Sequence, residues 1–449
     1  MIKIEIPQKA KNIIDKLEQA GYEAYVVGGP VRDSILGKNP MDWDITTSAS
    51  PSEVKEIFSY TIDTGIEHGT VTVMIDHEPF EVTTYRIDGK YTDHRRPEEV
   101  AFTKSLKEDL LRRDFTINAM AYNPRTGLVD MYEGMADLQK KVIRCVGDAN
   151  QRFDEDALRI LRALRFKAQL NFEIEEATAK AIESHGKFLV DISAERIQVE
   201  LTKMLLTDHP ETMLDAYYLG VTKYILPEFD VMMDTEQNNP HHKYNVGMHT
   251  IKAMQHIPAD SILRWTMLLH DVGKPKARIQ GKEKDSFIHH QEIGEEMARK
   301  ILRRLKFDNQ TVKEVTKLVL WHDQRFNSEK EVNKRTIRRW ANKLGKDLFA
   351  KMLVIQQADI LAQSDYHYEE KQMVLNRTKE LFEEIVKDEE CLTLKELAID
   401  GKDLMELGMK PGKDMGLMLN HLLDRVLQDP ELNTKETLRE LVLEKRKSL

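Results

Sequence analysis

The chain has 449 residues, of which 41% are hydrophobic, so it is long enough for two to four domains with ordinary buried cores. It contains no run of 18 apolar residues and its N-terminus is charged and amphipathic, so we expect neither a transmembrane span nor a secretory signal. The net charge of −9 excludes a uniformly basic nucleic-acid-binding protein, so a nucleic-acid partner would need local basic patches. The two cysteines, Cys145 and Cys391, form no CxxC motif, which favours a protein of the reducing cytoplasm.

The first 145 residues mix strand and helix patterns, and the remainder is helical. Clusters of β-branched residues in YEAYVVGG, WDITT, GTVTVMID and FEVTTYR predict strands, the last two joined as a hairpin by an Asp-His-Glu-Pro turn. From about residue 146 one helical pattern follows another. We therefore predict an α+β protein: a small mixed-sheet head at 1–145, a helical neck at 146–230, and further helical domains at 231–370 and 371–449.

The segment VVGGPVRDSILGKNPMDWDIT combines a glycine pair with two acids. Gly28 and Gly29 allow the backbone to approach a phosphate, and the helix start that follows brings Arg32 within reach. Alternate side chains of a strand share a face, so Asp42 and Asp44 are expected to point together with stems roughly 6–7 Å apart. This spacing suits two Mg²⁺ ions about 4 Å apart that share phosphate oxygens. A turn followed by an exposed acidic strand end is the simpler alternative.

Further charged residues of the same kind follow. Glu81, on the strand FEVTT, is a third candidate carboxylate, although strand glutamates usually face solvent. In DEDALRILRALRF a charged residue recurs at every third position of a predicted helix, which gives one charged stripe: Asp156, Arg159, Arg162 and Arg165. A neighbouring apolar stripe would pack the helix onto the head: Leu158, Leu161 and Leu164. An amphipathic surface helix with one ion pair is the alternative, but three arginines on one face repel each other unless an anion lies there.

Together these segments resemble the class II bacterial tRNA nucleotidyltransferases, the enzymes that build the 3′ CCA end of tRNA. The likeness rests on GGPVRD, DWD, TYRIDGKYTDHRRPEEVAF, RRDFTINAMAYNP and DEDALRILRALRF, between about residues 25 and 170. A weaker match, GKDLMELGMKPGKDMG, lies near the C-terminus. The family belongs to the polymerase-β-like superfamily, with the bacterial poly(A) polymerases as near relatives. The resemblance therefore implies a nucleotidyltransferase head of that fold.

The resemblance also implies roles for single residues. Asp42 and Asp44 would hold Mg²⁺ and activate the tRNA 3′-OH. Arg113 would bind the triphosphate, and Asp114 and Asn118 would lie near the ribose. The other positions implied to bind the nucleotide are Gly28, Gly29, Arg32, Asp156, Arg159, Arg162 and Arg165.

The implied base selection has a physical basis. Asp156 would accept a hydrogen bond from the exocyclic amine of C or A, while Arg159 would donate to the adjacent ring nitrogen or carbonyl. Guanine and uracil present the opposite pattern and would be rejected. The polar loop RIDGKYTDHRRP, between Arg86 and Pro97, shows neither helix nor strand pattern, and in the family the corresponding loop helps to switch specificity from C to A.

A second group of residues resembles the signature of an HD domain, an all-helical, metal-dependent phosphohydrolase. The signature residues are His249, His270, Asp271, Asp359, His290 and His322. The resemblance implies that the first four bind one metal ion and that, in some members of the family, the last two add a second. Imidazole and carboxylate ligands suit Mn²⁺, Fe²⁺ or Ni²⁺ as well as Mg²⁺. Because His289 and His290 are adjacent, the sequence leaves open which of the two takes this ligand position. The alternative is a degenerate HD fold that serves as a scaffold for tRNA.

The sequence thus predicts an enzyme that adds CCA to tRNA with CTP, ATP and Mg²⁺ and binds the acceptor and T arms. An A-adding or CC-adding enzyme or a poly(A) polymerase is the near alternative, and an HD phosphohydrolase acting on RNA ends is the alternative of another class. Both a monomer and a homodimer stay open. Candidate phosphate contacts, each also explained as a solvated helix face or a turn, are Arg95-Arg96, Arg112-Arg113, Arg303-Arg304, Lys334-Arg335, Arg338-Arg339, Lys402, Lys410 and Lys413.

Overall fold

A computed structural model of the chain forms two compact units, Met1–Pro227 and Glu228–Leu449. The structure describes residues 3–89, 100–281, 284–326, 328, 331–388 and 390–447. Among these residues, no helix combines the length and the apolar character that a membrane crossing needs. The predicted α+β class is confirmed, since a sheet-containing head precedes a helical remainder. The finer division into four domains stays a prediction.

The N-terminal unit contains a seven-stranded mixed sheet in the order β3-β4-β5-β2-β1-β8-β9, in which β2 and β5 run parallel. Two small pairs, β6 with β7 and β10 with β11, lie outside it. The strands are β1 Ala24–Val27, β2 Ile45–Thr47, β3 Thr61–Gly65, β4 Thr70–Ile75, β5 Glu78–Thr84, β6 Arg86–Asp88, β7 Val100–Phe102, β8 Met120–Asn123, β9 Gly127–Asp130, β10 Val142–Ile143 and β11 Glu173–Ile174.

The predicted hairpin is present as β4 and β5, with a tighter turn than expected. Asp76 and His77 alone form the turn, at φ of 48° and 64°, and Glu78 and Pro79 already belong to β5. Two consecutive residues with positive φ match the twist of antiparallel strands, and aspartate tolerates this region better than most residues. The hairpin fixes the face on which Glu81 lies.

Eleven α-helices complete the regular structure described in the N-terminal unit, apart from short 3-10 turns. They are α1 Gln8–Gln19, α2 Gly29–Ile35, α3 Pro51–Ile57, α4 Leu106–Leu111, α5 Gly134–Lys140, α6 Ala149–Glu155, α7 Leu158–Leu170, α8 Glu176–His185, α9 Ala194–Leu205, α10 Thr212–Tyr218 and α11 Thr222–Ile225. The strand β11, which pairs in parallel with β10, lies beyond residue 146 and was not predicted. A two-residue strand has no periodicity to detect.

The glycine turn rests on a buried apolar cluster. Its members are Val27, Tyr85, Leu106, Leu110, Ala119, Ala121 and Val146. Val27 is the last residue of β1, directly before Gly28, so the cluster supports the backbone that precedes the turn. Truncating a buried leucine such as Leu110 would cost about 2–5 kcal/mol, since the site could collapse only in part.

The described residues of the C-terminal unit form helices joined by turns and loops, with one isolated β-bridge between Ile279 and Ser286. Its helices are α12 Pro227–Met233, which begins at the boundary, then α13 Val246–Met254, α14 Ser261–Leu269, α15 Lys274–Ala277, α16 His290–Arg304, α17 Asn309–Trp321, α18 Lys334–Leu344, α19 Lys346–Ala362, α20 Tyr368–Lys387, α21 Gly401–Glu406, α22 Lys413–Gln428 and α23 Lys435–Lys447. Its core contains large buried side chains such as Trp265, Phe229 and Phe349.

Candidate functional site

The glycine turn lies between β1 and α2. Gly28 has a φ of 79°, in the left-handed region that glycine adopts without strain, and its N–H donates to the carbonyl of Met120. A Cβ at Gly28 would lie 3.3 Å from a guanidinium nitrogen of Arg113. Glycine is therefore required both by the turn and by the approach of an arginine to the backbone.

Asp42 and Asp44 precede strand β2 rather than lying in it, which corrects the expected strand geometry. Both side chains are exposed, in the loop that ends at Ile45. The carbonyl of Asp44 nevertheless accepts a hydrogen bond from the N–H of Val27, so the backbone at Asp44 already runs along β1.

The parallel register brings Glu81 next to Asp44. Ile45 pairs with Val82, so the residues that precede them, Asp44 and Glu81, lie side by side. Both line a pocket of about 190 Å³, whose other lining residues are Val27, Ile45, Thr70, Thr83, Arg86, Arg112 and Arg113. The pKa of Asp44 is raised by burial in this recess and, to a smaller extent, by the neighbouring carboxylates of Glu81 and Asp42. The positive charge of Arg113 opposes this effect. Carboxylates that repel each other in this way are suited to hold a cation between them.

Two arginines at the back of this pocket are anchored by a buried acid that the sequence analysis missed. Asp109, on α4, is fully buried and accepts hydrogen bonds from Arg112 at 2.7 Å and from Arg113 at 3.4 Å. Burial would raise the pKa of Asp109, but the two guanidinium groups outweigh it and lower the pKa. The helical spacing of three and four residues was a usable sequence signal for this contact.

Asp114 joins the arginine pair to helix α7. Its carboxylate accepts hydrogen bonds from Arg162 at 2.6 and 2.8 Å and from the side chain of Asn118 at 3.1 Å. Asn118 in turn accepts from Arg32 at 2.7 Å, and Arg32 is also bound to Asp33. The structure thus brings the predicted residues of two motifs into one buried network.

The predicted charged helix begins later than expected. Asp156 lies between α6 and α7, and its carboxylate accepts from the N–H of Leu158, which starts the new helix. The prediction that Asp156 shares one helix with Arg159, Arg162 and Arg165 is therefore wrong. The buried apolar stripe is confirmed for Leu158, Leu161 and Leu164.

Asp156 is held from another helix. Arg196, on α9, donates to its second carboxylate oxygen at 2.8 Å, a contact that no local sequence pattern predicted. Arg159 donates to Glu155 at 2.7 Å and to the carbonyl of Arg112 at 2.8 Å. These side chains line a second pocket of about 270 Å³, bordered by Arg112, Arg113, Asp114, Asp156, Leu158, Arg159, Arg162 and Arg196.

Arg165 does not line this pocket. Its guanidinium group lies 3.0 Å from the buried carboxylate of Glu200 and over the ring of Phe166 at 4.3 Å. Arg165 thus supports the packing of α7 against α9.

The segment between Arg86 and Pro97 contains a strand at its start, contrary to the predicted loop. Arg86–Asp88 is strand β6, which pairs antiparallel with β7. Residues 90–99, which include Arg95 and Arg96, lie outside the described residues.

In the C-terminal unit, all six predicted metal-binding residues converge. They form two groups, and within each group the ligand atoms lie within 4.8 Å of one another. One group is His249, His270 and Asp359, and the other is Asp271, His290 and His322. All six side chains are buried. Asp271 lies between the groups, since one of its oxygens is 3.2 Å from His270 and the other is 3.6 Å from His322.

Backbone carbonyls orient three of these histidines. The Nδ1 atoms of His270, His290 and His322 lie 2.7, 2.8 and 2.6 Å from the carbonyls of Met267, Phe287 and Val319. A ring that donates from Nδ1 presents Nε2 as the ligand atom. The buried Nε2 atoms of His270 and His290 make no hydrogen bond to any described residue, which is the arrangement a metal ion requires. His289 instead points outward, with 75% of its side chain exposed.

Basic residues also contact the buried acids. Lys274 lies 2.8 Å from Asp271, and Arg325 pairs with Asp359, which Gln363 contacts as well. Burial would raise the pKa values of Asp271 and Asp359, but the neighbouring histidines and these cations keep both well below the usual range. Both acids are therefore ionised and able to bind metal.

Several of the predicted phosphate contacts have structural partners. Arg304 forms a two-fold ion pair with Glu228 at 2.7 Å, and Arg338 is buried and donates to the carbonyl of Leu427. The three tail lysines, by contrast, are exposed: Lys402, Lys410 and Lys413.

Family models match three parts of the chain. The model of the poly A polymerase head domain matches residues 24–144, that of the RNA- and SrmB-binding site of polymerase A matches 171–233, and that of tRNA nucleotidyltransferase domain 2 matches 285–442. The head match contains the glycine turn, the three carboxylates and the anchored arginines described above. Fold and site therefore define a nucleotidyltransferase.

Whole-chain relatives narrow this class. The CCA-adding enzyme of Levilactobacillus brevis is 36% identical over 96% of both chains, and that of Streptococcus thermophilus is 35% identical over 96% of this chain and 95% of its own. The crystal structure of the Bacillus stearothermophilus CCA-adding enzyme in complex with CTP matches with a TM-score of 0.73 and 27% identity over 98% of both chains. The chain belongs to the family of CCA-adding enzymes.

A more distant structure shares the fold. The Thermotoga maritima CCA-adding enzyme complexed with tRNA-CCA has a TM-score of 0.58 and 20% identity over 98% of this chain and 95% of its own. A nucleotidyltransferase of this kind depends on a divalent metal ion.

Proposed function

We propose that this chain adds C, C and A to the 3′ end of tRNA with CTP and ATP and releases pyrophosphate. The observation that carries the proposal is the pair of adjoining pockets: one holds Asp44 and Glu81, the other holds Asp156, and Arg112 and Arg113 line both. Arg112 and Arg113 thus connect the proposed site of phosphate transfer with the proposed site of base recognition.

Asp44 in the first pocket and Asp42, two residues before it, would hold Mg²⁺, with Glu81 as the third carboxylate. Bound Mg²⁺ would lower the pKa of the tRNA 3′-OH and neutralise the charge of the triphosphate. Arg112 and Arg113, kept in place by Asp109, would bind the phosphates. Gly28 and Gly29 would let the backbone approach them closely, with Arg32 behind the turn.

In the second pocket, Asp156 and Arg159 would read the base. Each oxygen of the Asp156 carboxylate accepts one hydrogen bond, from the N–H of Leu158 or from Arg196, so the second lone pair of an oxygen would accept from an exocyclic amine, which C and A carry and U lacks. Asp114, with Asn118 beside it, would lie near the ribose, and Arg162 would face the nucleotide. Arg165, bound to Glu200, would act through the position of the helix rather than by direct contact.

The experiment that tests this function is tRNA extension with each nucleotide omitted in turn. A tRNA that ends at the discriminator base should gain two C residues with CTP alone and the full CCA with both nucleotides. A tRNA that ends in the second C should gain A from ATP alone. Incorporation of A alone, even when CTP is present, would contradict CCA addition and favour an A-adding enzyme or a poly(A) polymerase.

The helical residues after the head would bind the acceptor and T arms of tRNA by shape and by phosphate contacts. The exposed Lys402, Lys410 and Lys413 would contribute, whereas the buried Arg338 would not. We keep the four-part division at 146, 231 and 371 as a proposal, with either a monomer or a homodimer as the working form.

We also propose a cytoplasmic protein. The tRNA substrate supports this location, and so do the cysteines. Cys145 and Cys391 are buried free thiols, and burial raises their pKa values to about 12 and about 11, so both are poorly reactive.

A second function is favoured by the six converging ligands in the C-terminal unit. We propose that they bind a pair of metal ions, Mn²⁺, Fe²⁺ or Ni²⁺ rather than Mg²⁺ alone, and hydrolyse phosphoesters at RNA ends. Asp271, whose two oxygens face different histidines, would bridge the two ions.

Two substitutions separate the activities. Asp44→Ala should abolish nucleotide addition and leave phosphoester hydrolysis intact, and His270→Ala should do the reverse. If Asp44→Ala leaves nucleotide addition intact, the assignment of the carboxylates is wrong.

A further inference from the structure

One aromatic ring of the N-terminal unit lies among three arginines. Phe166 is on α7, and only 5% of its surface is exposed. The guanidinium carbon of Arg165 lies 4.3 Å from the centre of the ring, that of Arg32 lies 5.0 Å from it and that of Arg162 lies 5.4 Å from it. We call Arg32, Arg162 and Arg165 the arginine cluster. Among the described residues, every other cation–ring contact joins a single cation to a single ring.

A second phenylalanine holds the plane of this ring. Phe115 is fully buried, and its ring centre lies 5.7 Å from that of Phe166, with an angle of 83° between the two rings. Aromatic pairs favour this edge-to-face arrangement because the positive edge of one ring meets the negative face of the other. Phe115 directly precedes the 3-10 turn Thr116–Asn118, so the ring of Phe166 is also packed against the segment that leads to Asn118.

The guanidinium groups of the arginine cluster are close enough to repel one another. Burial lowers the pKa of Arg165, and the positive charges of Arg162 and Arg32 lower it further, whereas the carboxylates of Glu200 and Asp114 oppose this effect. Like charges in a poorly hydrated region keep one arrangement only where negative charge or negative potential lies between or beside them.

Three carboxylates balance the three positive charges, one for each arginine. The pairs are Arg32 with Asp33 at 2.8 Å, Arg162 with Asp114 at 2.6 Å and Arg165 with Glu200 at 3.0 Å. Glu200 also lies 4.0 Å from Arg162. These acids come from separate segments, α2, the turn before the 3-10 helix, and α9, whereas the ring of Phe166 contacts all three arginines.

The faces of an aromatic ring carry negative potential and attract cations most strongly where water is excluded. We propose that Phe166 is a positioning residue for nucleotide binding: the faces of its ring hold the arginine cluster in place. Arg162, which lines the base-reading pocket, is thereby directed toward the nucleotide, and Arg32, which donates to Asn118 at 2.7 Å, keeps that side chain beside the ribose. The inference rests on the proposed function for the roles of Arg162 and Asn118.

The test replaces Phe166 in the full chain by singly, doubly and triply fluorinated phenylalanine, introduced at an amber codon. Each fluorine withdraws electron density from the ring faces and weakens their attraction for cations, while the ring stays in place. The KM values for CTP and ATP in tRNA extension should rise in steps with the number of fluorines, to about tenfold with three. The Kd of CTP, measured by isothermal titration calorimetry with Mg²⁺, should follow the same order, and the KM for tRNA should stay unchanged.

Phe172 is the matched control. It belongs to the same unit and is 4% exposed, and among the described residues no cation lies over its ring. Triply fluorinated phenylalanine at position 172 should leave both nucleotide KM values unchanged. Phe166→Leu, which keeps an apolar side chain without a ring, should raise these values at least as much as three fluorines do. If Phe166→Leu fails to fold, the fluorinated series decides alone, since it retains the ring and its packing.

The inference is overturned if nucleotide KM and Kd stay constant across the fluorinated series, or if they change as much at position 172 as at position 166. The ring of Phe166 would then act through its volume alone. The wild type separates this result from a failure of the proposed function. A wild type that extends tRNA while the series has no effect refutes only the positioning role. A wild type that binds CTP without extending tRNA refutes CCA addition, and a graded loss of CTP affinity would still support the role of Phe166 in nucleotide binding.

Discussion

Asp114 is the residue at which the charges of the head converge. It is buried, with 7% of its surface exposed, and it is bound by Arg162, by Asn118 and by the N–H of Phe115. Burial alone would raise its pKa, but Arg162 and the hydrogen bonds outweigh burial and lower the pKa from 3.8 to about 2. Because the folded-state pKa is depressed, the contribution to stability is complete above pH 3.8 and is lost as the pH falls toward 2.

We therefore expect Asp114→Asn to lower the free energy of unfolding by about 2 kcal/mol at neutral pH, since the Arg162 charge loses its partner. The difference from wild type should shrink between pH 4 and pH 2, where the wild-type carboxylate takes up a proton. Urea unfolding followed by circular dichroism at several pH values measures it. Asp76→Asn, at an exposed turn, is the matched control. A difference that stays constant down to pH 2 would contradict the assignment.

Arg196 shows how a residue that contacts the candidate site can be missed when only sequence motifs are considered. It lies 40 positions after Asp156, and the fold alone brings the two within 2.8 Å. We expect Arg196→Gln to lower kcat/KM for both CTP and ATP by about tenfold or more, because a charge-assisted hydrogen bond that orients Asp156, the carboxylate proposed to read the base, is lost. Misincorporation of UTP should rise. Single-nucleotide tRNA extension measures both quantities.

The control for Arg196 is Arg125→Gln. Arg125 also pairs with carboxylates in the N-terminal unit, but its side chain is 57% exposed and does not line either head pocket. The Arg125→Gln substitution should leave tRNA extension unchanged. If Arg196→Gln affects neither rate nor selection, Asp156 is oriented by other contacts and the proposed base-reading geometry is incorrect.

At the scale of elements, the strands and the helical body could be predicted because their periodicities are local. The start of α7 could not be predicted from periodicity, because the spacing of charges continued across Asp156. The usable signal was the aspartate itself, whose side chain accepts from the N–H two residues on and so competes with helix at its own position. The loop position of Asp42 and Asp44 depended on sheet pairing, which involves residues far apart in the sequence.

The position of His290, the first residue of α16, depends on close packing of the turn at Gly273 against that helix. A Cβ at Gly273 would lie 2.2 Å from the carbonyl of His290 and 2.6 Å from the backbone nitrogen of Gly294. Gly273→Ala must therefore displace α16, at a cost of about 1–3 kcal/mol. We expect the variant to retain much less bound Mn²⁺ than wild type, measured by atomic absorption after gel filtration.

Gly416→Ala is the control for this substitution. Gly416 lies in α22, where a Cβ would meet no other atom within 4 Å, and alanine favours a helix by up to about 1 kcal/mol. It should keep the metal. Full metal content in Gly273→Ala would mean that the position of α16 does not govern the metal site.

On the scale of the whole molecule, each unit carries its own site. Each head motif is short, so local sequence patterns were sufficient to predict most of the candidate residues that the structure brings together there. The six candidate metal ligands extend over 110 positions, from His249 to Asp359, and their convergence depends on the helical fold of the C-terminal unit. The resemblance to a known family identified these residues, whereas the structure showed that they form two groups and that Asp271 lies between them.

Metal binding should stabilise one unit selectively. Three of the four tryptophans, Trp265, Trp321 and Trp340, lie in the C-terminal unit, so tryptophan fluorescence reports chiefly its unfolding. Mn²⁺ at 100 times its Kd should stabilise the folded unit by about 2.7 kcal/mol and raise the fluorescence-detected Tm by roughly 5 °C or more. His270→Ala should abolish the shift, whereas His289→Ala, at an exposed neighbour of the cluster, should preserve it. A shift lost in His289→Ala, or retained in His270→Ala, would mean that the metal binds elsewhere.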